Sequence, residues 1–278
     1  DGTSRSGIVF SQQAASGRRK SPDDFNIRKV ISDLGFSKKV IQEALEQSLK
    51  RLQTDYVDIY QLHWPERNVN FFGQRNYAHN KDEKWEDNFK EVIEVLDGLV
   101  KKGSIRHYGL SNESSWGVMR HVAESNKNNL ATCKTIQNPY SLLNRIFEIN
   151  LAEVALREQI GLLAYSPLAF GVLSGKYLNG KLPEKSRLKL FPNYSRYSNP
   201  QALKLTAAYA ELAAKYNMSL TELSLAFVNQ RPFVTSSIIG ATTIDQLEEN
   251  IGSIDIELSD DLLIEIDQIQ NLQPNPAP

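Results

Sequence analysis

From Phe36 onward, short apolar runs of strand length alternate with stretches of helical periodicity. Strands separated by helices of about 10–15 residues require right-handed crossovers, and so predict a parallel sheet. Ser37 reads as an N-cap, with Phe36 and Ile41 placed for a hydrophobic staple and Ile41, Leu45, Leu49 and Leu52 on one helical face. A strand is expected over residues 55–63, followed by a long aromatic-bearing loop. The next helix carries Phe89, Val92, Ile93, Leu96 and Val100 on one side, and Lys101, Lys102 and Gly103 supply a basic last turn and an αL cap. Further strands are read at 104–111, 132–137, 161–166 and 234–240, and further helices near 116–124, 149–158 and 202–216. Ser219 with Glu222, and Thr243 with Gln246, read as capping boxes, and Ser259 opens the last helix. Residues 273–278, rich in proline, read as an extended tail.

Two architectures accommodate five strand–helix units. A five-stranded doubly wound sheet is complete as written. An eight-stranded barrel needs about 250 residues, and the first 35 of the 278 residues here are of another kind, so three units would be missing in front. Residues 1–35 are rich in Ser, Gly, Lys and Arg, with Ile8, Val9 and Phe10 as an apolar island, and read as a polar loop or mobile arm. No composition break divides the remainder, so residues 36–278 are expected to form a single domain.

Composition excludes several functions. A net charge of -1 gives no reason to expect nucleic acid or an anionic membrane as partner. The longest apolar runs are too short to span a bilayer. Cys133 is the one cysteine, which rules out an intramolecular disulfide and a thiolate metal cluster. It reads as a small core residue, and no metal site is expected. The first residue is Asp1 and no leader pattern follows it, so the sequence reads as a fragment or a processed product from which a targeting segment could have been lost; the expected location, cytoplasmic, does not rest on it.

The strands end in polar residues: His63 and Trp64, Ser111 and Asn112, Gln137 and Asn138, Tyr165 and Ser166, and Gly240 to Thr242. In α/β folds the carboxyl ends of parallel strands are where ligands bind. His63 is the most informative of these residues, because imidazole titrates near neutrality. The Gly-x-Gly-x-x-Gly and P-loop cradles are absent. Gly240-Ala241-Thr242-Thr243 nevertheless runs into a helix whose first turn offers N–H groups and a positive dipole end to a phosphate. Lys176 and Arg187 could clamp a second one.

At these residues the chain resembles the aldo-keto reductases, the NADPH-dependent (β/α)8 carbonyl reductases, in the branch that includes the Tas protein and the β subunits of voltage-gated potassium channels. The matching text is Gln61-Leu62-His63-Trp64-Pro65, Gly109-Leu110-Ser111-Asn112-Glu113, residues 135–145, Ala164-Tyr165-Ser166-Pro167-Leu168 with Gly175-Lys176-Tyr177, and residues 240–251. The resemblance implies an α/β TIM barrel, N-terminally incomplete by about three βα units.

It also implies roles. Ser111, Asn112 and Gln137 would hold the nicotinamide carboxamide, and Tyr165 would stack on the nicotinamide ring. Ser166, Leu168, Gly171 and Leu173, with Lys176 and Arg187, would fold over the pyrophosphate. Thr242 and Gln246 would serve the 2′-phosphate and Glu249 and Asn250 the adenine, with Gly240 also among the cofactor-binding residues. His63 would orient and polarise a small-molecule carbonyl. Trp64 would wall the substrate pocket, and Phe71, Phe72 and Tyr77 would shape substrate choice. His79, His107 and His121 are expected to be solvated or structural.

The chain departs from the family in one respect. The family's tyrosine acid, with the lysine and aspartate that tune it, belongs to an Asp-Thr-Ala-x-x-Tyr type segment and to the end of an earlier strand, text that this sequence does not contain. The expectation is an oxidoreductase reducing aldehydes or ketones that is weak or inactive as this chain, because its catalytic aspartate, tyrosine and lysine are absent. The alternative is a non-catalytic NADP(H)-binding sensor resembling the channel β subunits. A structural remnant that binds nothing is a third, weaker reading.

Overall fold

The computed structural model describes residues 35–70, 72–192 and 195–278. The arm expected over residues 1–35 therefore lies almost wholly outside the described residues, as does Phe71. The elements run α1 (Lys38–Leu52), β1 (Val57–Leu62), α2 (Phe89–Lys101), β2 (Ile105–Ser111), α3 (Ser115–Asn128), β3 (Thr135–Pro139), α4 (Leu151–Arg157), β4 (Gly161–Tyr165), α5 (Arg187–Leu190), α6 (Pro200–Lys215), α7 (Leu220–Asn229), β5 (Val234–Ile238), α8 (Ile244–Gly252) and α9 (Asp260–Leu272). Strand order is β1-β2-β3-β4-β5, the order of the sequence. A doubly wound sheet reverses its order at a switch point, and no reversal occurs here. Consecutive parallel strands are instead what a (β/α)8 barrel lays down.

The contacts group into two compact units. The first holds residues up to Val69, Ala78–Ile136 and Glu158–Ile160; the second holds Asn70–Tyr77, Gln137–Arg157 and Gly161–Pro278. In the first, β1 pairs with β2 in parallel, with Gln61 opposite Gly109 and Leu62 opposite Leu110. Side chains alternate across a strand. Tyr60, Leu62, Tyr108 and Leu110 are accordingly buried with Val92, Ile93 and Leu96 of α2 and Val118 and Val122 of α3. The opposite face is crowded. A Cβ on Gly109 would lie 2.2 Å from Thr135 Oγ1 and 3.0 Å from its carbonyl oxygen, so only glycine fits there. α2 ends as read from its sequence: Gly103 takes φ 78°, Gly103 N–H bonds Val100 O at 2.9 Å and Ser104 N–H bonds Leu99 O at 3.1 Å, a Schellman closure.

In the second unit, β4 pairs in parallel with β5, with a bulge between Leu162 and Leu163. The core is aromatic: Tyr140 lies 5.2 Å from Phe233 and 6.0 Å from Phe227, and Phe147 lies 5.4 Å from Phe233, centroid to centroid. Such pairs add about 0.5–1.5 kcal/mol each beyond their buried area. Asn199 caps α6, accepting from Ala202 N, and Pro200 fills its first turn, where a missing N–H costs nothing. Ser219 and Glu222 form the full reciprocal box on α7.

Several elements differ from the sequence reading. The helix expected near 149–158 is a 3₁₀ turn (Ile146–Glu148) followed by the short α4. Asn150 between them has φ 72°, which breaks the helix. Cys133 is buried but precedes β3 rather than lying in it. The Thr243/Gln246 box is only half made. Thr243 accepts from Gln246 N, but the Gln246 amide oxygen takes the N–H and hydroxyl of Thr242, at 3.0 and 3.1 Å, one residue too early. The tail is not simply extended: Asn275 turns it at φ 48°, and Pro276, Ala277 and Pro278 are buried.

Gly109→Ala is expected to lower stability by about 1–3 kcal/mol through overpacking. Gly98→Ala in α2, where an added Cβ meets nothing within 4 Å, should raise it by roughly 0.5–1 kcal/mol. Urea unfolding of the two variants checks both; equal effects would refute the close approach at Gly109.

Candidate active site

The residues singled out from the sequence fall into two sets, one in each unit. In the first unit, His63 and Trp64 follow β1, and Ser111 and Asn112 end β2. The His63 imidazole stacks on the Trp64 ring, 4.0 Å between centroids. The Asn112 side chain donates to the His63 carbonyl at 2.9 Å and to Ser111 Oγ at 3.1 Å. Asn112 sits at φ 53°, a conformation that asparagine tolerates better than most residues. These bonds gather His63, Ser111 and Asn112 at neighbouring strand ends. Burial holds the His63 pKa below its ordinary value, so its imidazole is neutral at pH 7 and can still donate one hydrogen bond.

Beside them lies a pair that the sequence did not reveal. Arg67 and Glu113 are both buried and face each other bidentately, with Arg67 Nη1 to Glu113 Oε2 at 3.0 Å and Arg67 Nη2 bonded to Glu113 Oε1. Arg67 also donates to Ser114 Oγ at 3.1 Å, and its guanidinium lies over Trp116 and Phe89, 4.9 and 5.5 Å from the ring centroids. Glu113 Oε1 accepts from Ser114 N at 2.6 Å. The pair therefore clamps the segment after His63-Trp64-Pro65 to the segment after Asn112. No periodicity links two residues 46 apart, so no sequence signal could have found it.

His121 of α3 is buried against Phe89 and Tyr108. Burial first, and the Arg67 charge second, lower its pKa to about 3. Burial pushes the Cys133 thiol up to about 12, which makes it unreactive at neutral pH. His79 and His107 are exposed.

In the second unit, Gln137 is half-buried on β3 and Tyr165 ends β4. The loop after Tyr165 is a series of left-handed turns: Ser166, Ala169, Phe170, Gly171 and Gly175 have φ between 49° and 87°. Its own bonds brace it, among them Ala169 N to Ser166 O at 2.8 Å and Gly171 N to Leu168 O at 2.7 Å, with Leu173 buried beneath. A Cβ on Gly171 would lie 2.7 Å from Lys176 Nζ, so glycine is what lets the ammonium group lie against the turn. The Arg187 guanidinium lies over Phe170 of the same turn, 5.1 Å from its ring centroid. Strained turns carrying two cations suit a diphosphate.

At α8, Gly240, Thr242 and Gln246 are exposed; Thr242 and Gln246 bond each other. Glu249 accepts from Ser219 Oγ at 2.6 Å, and Asn250 reaches Gly240 O at 3.5 Å. Phe72, at φ 52°, and Tyr77 are exposed. Among the described residues, no group of His, Cys, Asp and Glu could hold a metal ion, and no helix is long and apolar enough to cross a membrane.

Two predictions follow from the first set. Arg67→Met strands the Glu113 carboxylate and should cost about 3–5 kcal/mol, whereas Arg67→Met with Glu113→Leu should recover most of it. Urea midpoints decide; an equal loss in both would show that packing, not the charge, matters. The second concerns pH. The folded His121 pKa lies below that of the unfolded chain, so the unfolded state takes up the proton first. Its contribution is intact above pH 6.5 and is lost as pH falls towards about 3, at up to about 1.4 kcal/mol per pH unit. His121→Phe should flatten that slope to the smaller part due to His63.

Comparison with known proteins agrees with the motifs. The model of the aldo/keto reductase family matches residues 16–271. Protein tas of Escherichia coli K12 is 46% identical over 262 residues, covering 92% of this chain and 74% of that protein. L-glyceraldehyde 3-phosphate reductase of Escherichia coli O157:H7 is 30% identical over 245 residues, covering 84% and 64%. A probable voltage-gated potassium channel subunit beta of Arabidopsis thaliana is 28% identical over 250 residues, covering 87% and 70%. The resemblance read from the strand-end motifs thus holds, in the branch of Tas and the channel β subunits. The chain belongs to the aldo/keto reductase family.

Proposed function

We propose that this oxidoreductase binds NADPH and reduces the carbonyl of a small aldehyde or ketone. The observation that carries the reading is the loop after β4, where Gly171 lets Lys176 lie against a strained turn and Arg187 covers Phe170. These cations would take the pyrophosphate. Thr242 and Gln246, exposed at the start of α8, would turn from each other to the 2′-phosphate, with Glu249 and Asn250 at the adenine. Ser111, Asn112 and Gln137 would hold the carboxamide, and Tyr165 the face of the ring. When bound, NADPH supplies the hydride.

The chain's own part is orientation. His63, neutral through burial, would donate to the carbonyl oxygen and favour the charge that develops there. The Asn112 bond to the His63 carbonyl fixes the strand end from which it acts. Trp64 and Phe72 would bound the substrate. A proton for the product oxygen needs an acid, and the Asp-Thr-Ala-x-x-Tyr text that provides it in the family is absent from residues 1–278. A general acid contributes about 10²–10⁴-fold, so this polypeptide should turn over slower than an equipped relative by about that factor.

The likeness to a channel subunit beta supports a second reading: a nucleotide sensor whose occupancy matters more than turnover. NADPH titration followed by protein fluorescence, with NADPH oxidation in the presence of a generic aldehyde, separates the two. Slow turnover abolished by His63→Ala supports the reductase. Binding without turnover supports the sensor. Failure to bind NADPH defeats both, and turnover at a family-like rate refutes the missing acid.

A further inference from the structure

We propose that the first unit carries a further ligand site on the helix side of its strands, a cleft that takes a small neutral molecule with one hydroxyl group on an apolar body. Counted to its open mouth, the cleft has a volume of about 370 Å³. Its placement follows from the alternation of side chains along a strand. Gln61 and Gly109 face Thr135. Leu62 and Leu110 therefore point the other way, towards Phe89 and Val92 of α2, and these four line the cleft. Trp64 and Ser111 are the residues it shares with the candidate active site, and the Trp64 ring stacks on His63.

What lines the cleft sets the chemistry of its guest. Phe36, Trp85 and Phe89 give it aromatic sides, which suit an apolar body. Its charged groups are already engaged. Arg67 pairs with Glu113, and Glu66 accepts from Phe36 N and, at 2.7 Å, from Asn88 Nδ2. An ionic guest would have to displace one of these bonds. His121 is different. It lines the cleft and is 4% exposed, and its Nδ1 is buried without a hydrogen-bond partner. Phe89 meets the imidazole edge-on at 5.0 Å and Tyr108 lies 5.9 Å from it, centroid to centroid, which holds the ring against turning to find one. An unsatisfied buried polar atom costs free energy that a ligand offsets by bonding it. Burial keeps this imidazole neutral, so Nδ1 accepts in one tautomer and donates in the other. A hydroxyl answers either tautomer, because it both donates and accepts; a carbonyl or an ether answers only one.

Phenol is the probe, and toluene, with a methyl group in place of the hydroxyl, is the control. NMR titration of the full, isotope-labelled chain should give a dissociation constant of about 1 mM for phenol, ordinary for a ligand of so few atoms. Toluene should bind about fivefold more weakly, the scale of one neutral hydrogen bond. Phenol, and not toluene, should move the imidazole nitrogen resonance of His121. His121→Phe should remove the preference for phenol while leaving toluene binding in place. Trp85→Leu, which takes away an aromatic side, should weaken both ligands by the same factor. The proposal is overturned by equal binding of the two ligands, by equal losses of both in His121→Phe, by binding indifferent to Trp85, or by a cleft that takes neither ligand and so holds water alone. If His121→Phe does not fold, as judged by circular dichroism, the His121 resonance of the parent chain decides: a shift common to both ligands, or to neither, defeats the assignment.

Discussion

The fastening of two strand ends by Arg67 and Glu113 is the interaction on which the candidate residues of the first unit depend. Parallel strands fix their own register through backbone bonds, but those bonds end at Leu62 and Ser111. Beyond them the chain turns away, and His63 and Asn112 stand where the ladder no longer holds them. A bidentate, buried ion pair just past each end restores the constraint. Its partners are not interchangeable with a surface pair, because each charge has lost water that the other, together with Ser114, replaces. Within that frame the Asn112 side-chain amide donates hydrogen bonds to the His63 carbonyl and to Ser111 Oγ, which sets the histidine's backbone beside Ser111.

The candidate residues of the second unit are held differently. They lie on a loop rather than at paired strand ends, and the loop supplies its own rigidity by folding through successive left-handed turns. Non-glycine residues in that region cost free energy; here the cost accompanies two cations brought against one turn. The tail adds a further brace, with backbone carbonyls at Pro276 and Pro278 drawing in Arg75, Asn199 and Arg196. Carbonyl groups suit this purpose, since an arginine fork satisfies them and is itself ordered in return.

Much of this was legible in the residues. Strand and helix positions followed from periodicity, and the caps at Ser37, Gly103 and Ser219 followed from chemistry confined to one turn. The half-made box at Thr243 shows the limit of such reasoning. A glutamine side chain is long enough to reach either of two N–H groups, and the turn conformation, not the spacing, selected Thr242. The tail misled for a related reason: composition describes how a segment behaves in isolation, whereas Asn275 and the buried prolines are ordered by residues far away in the chain.

The sequence by itself determined the alternation of elements, the identity of the strand-end residues and the family. Each of these is written in local pattern: a period, a cap, or a short run of defined residues. Only the tertiary structure decided the sequential strand order, the pairing of Arg67 with Glu113 and the lowering of the His63 pKa by burial. Those depend on which distant groups meet and on how much water they lose in meeting. Contact and desolvation are properties of the folded chain, and no spacing along it encodes them.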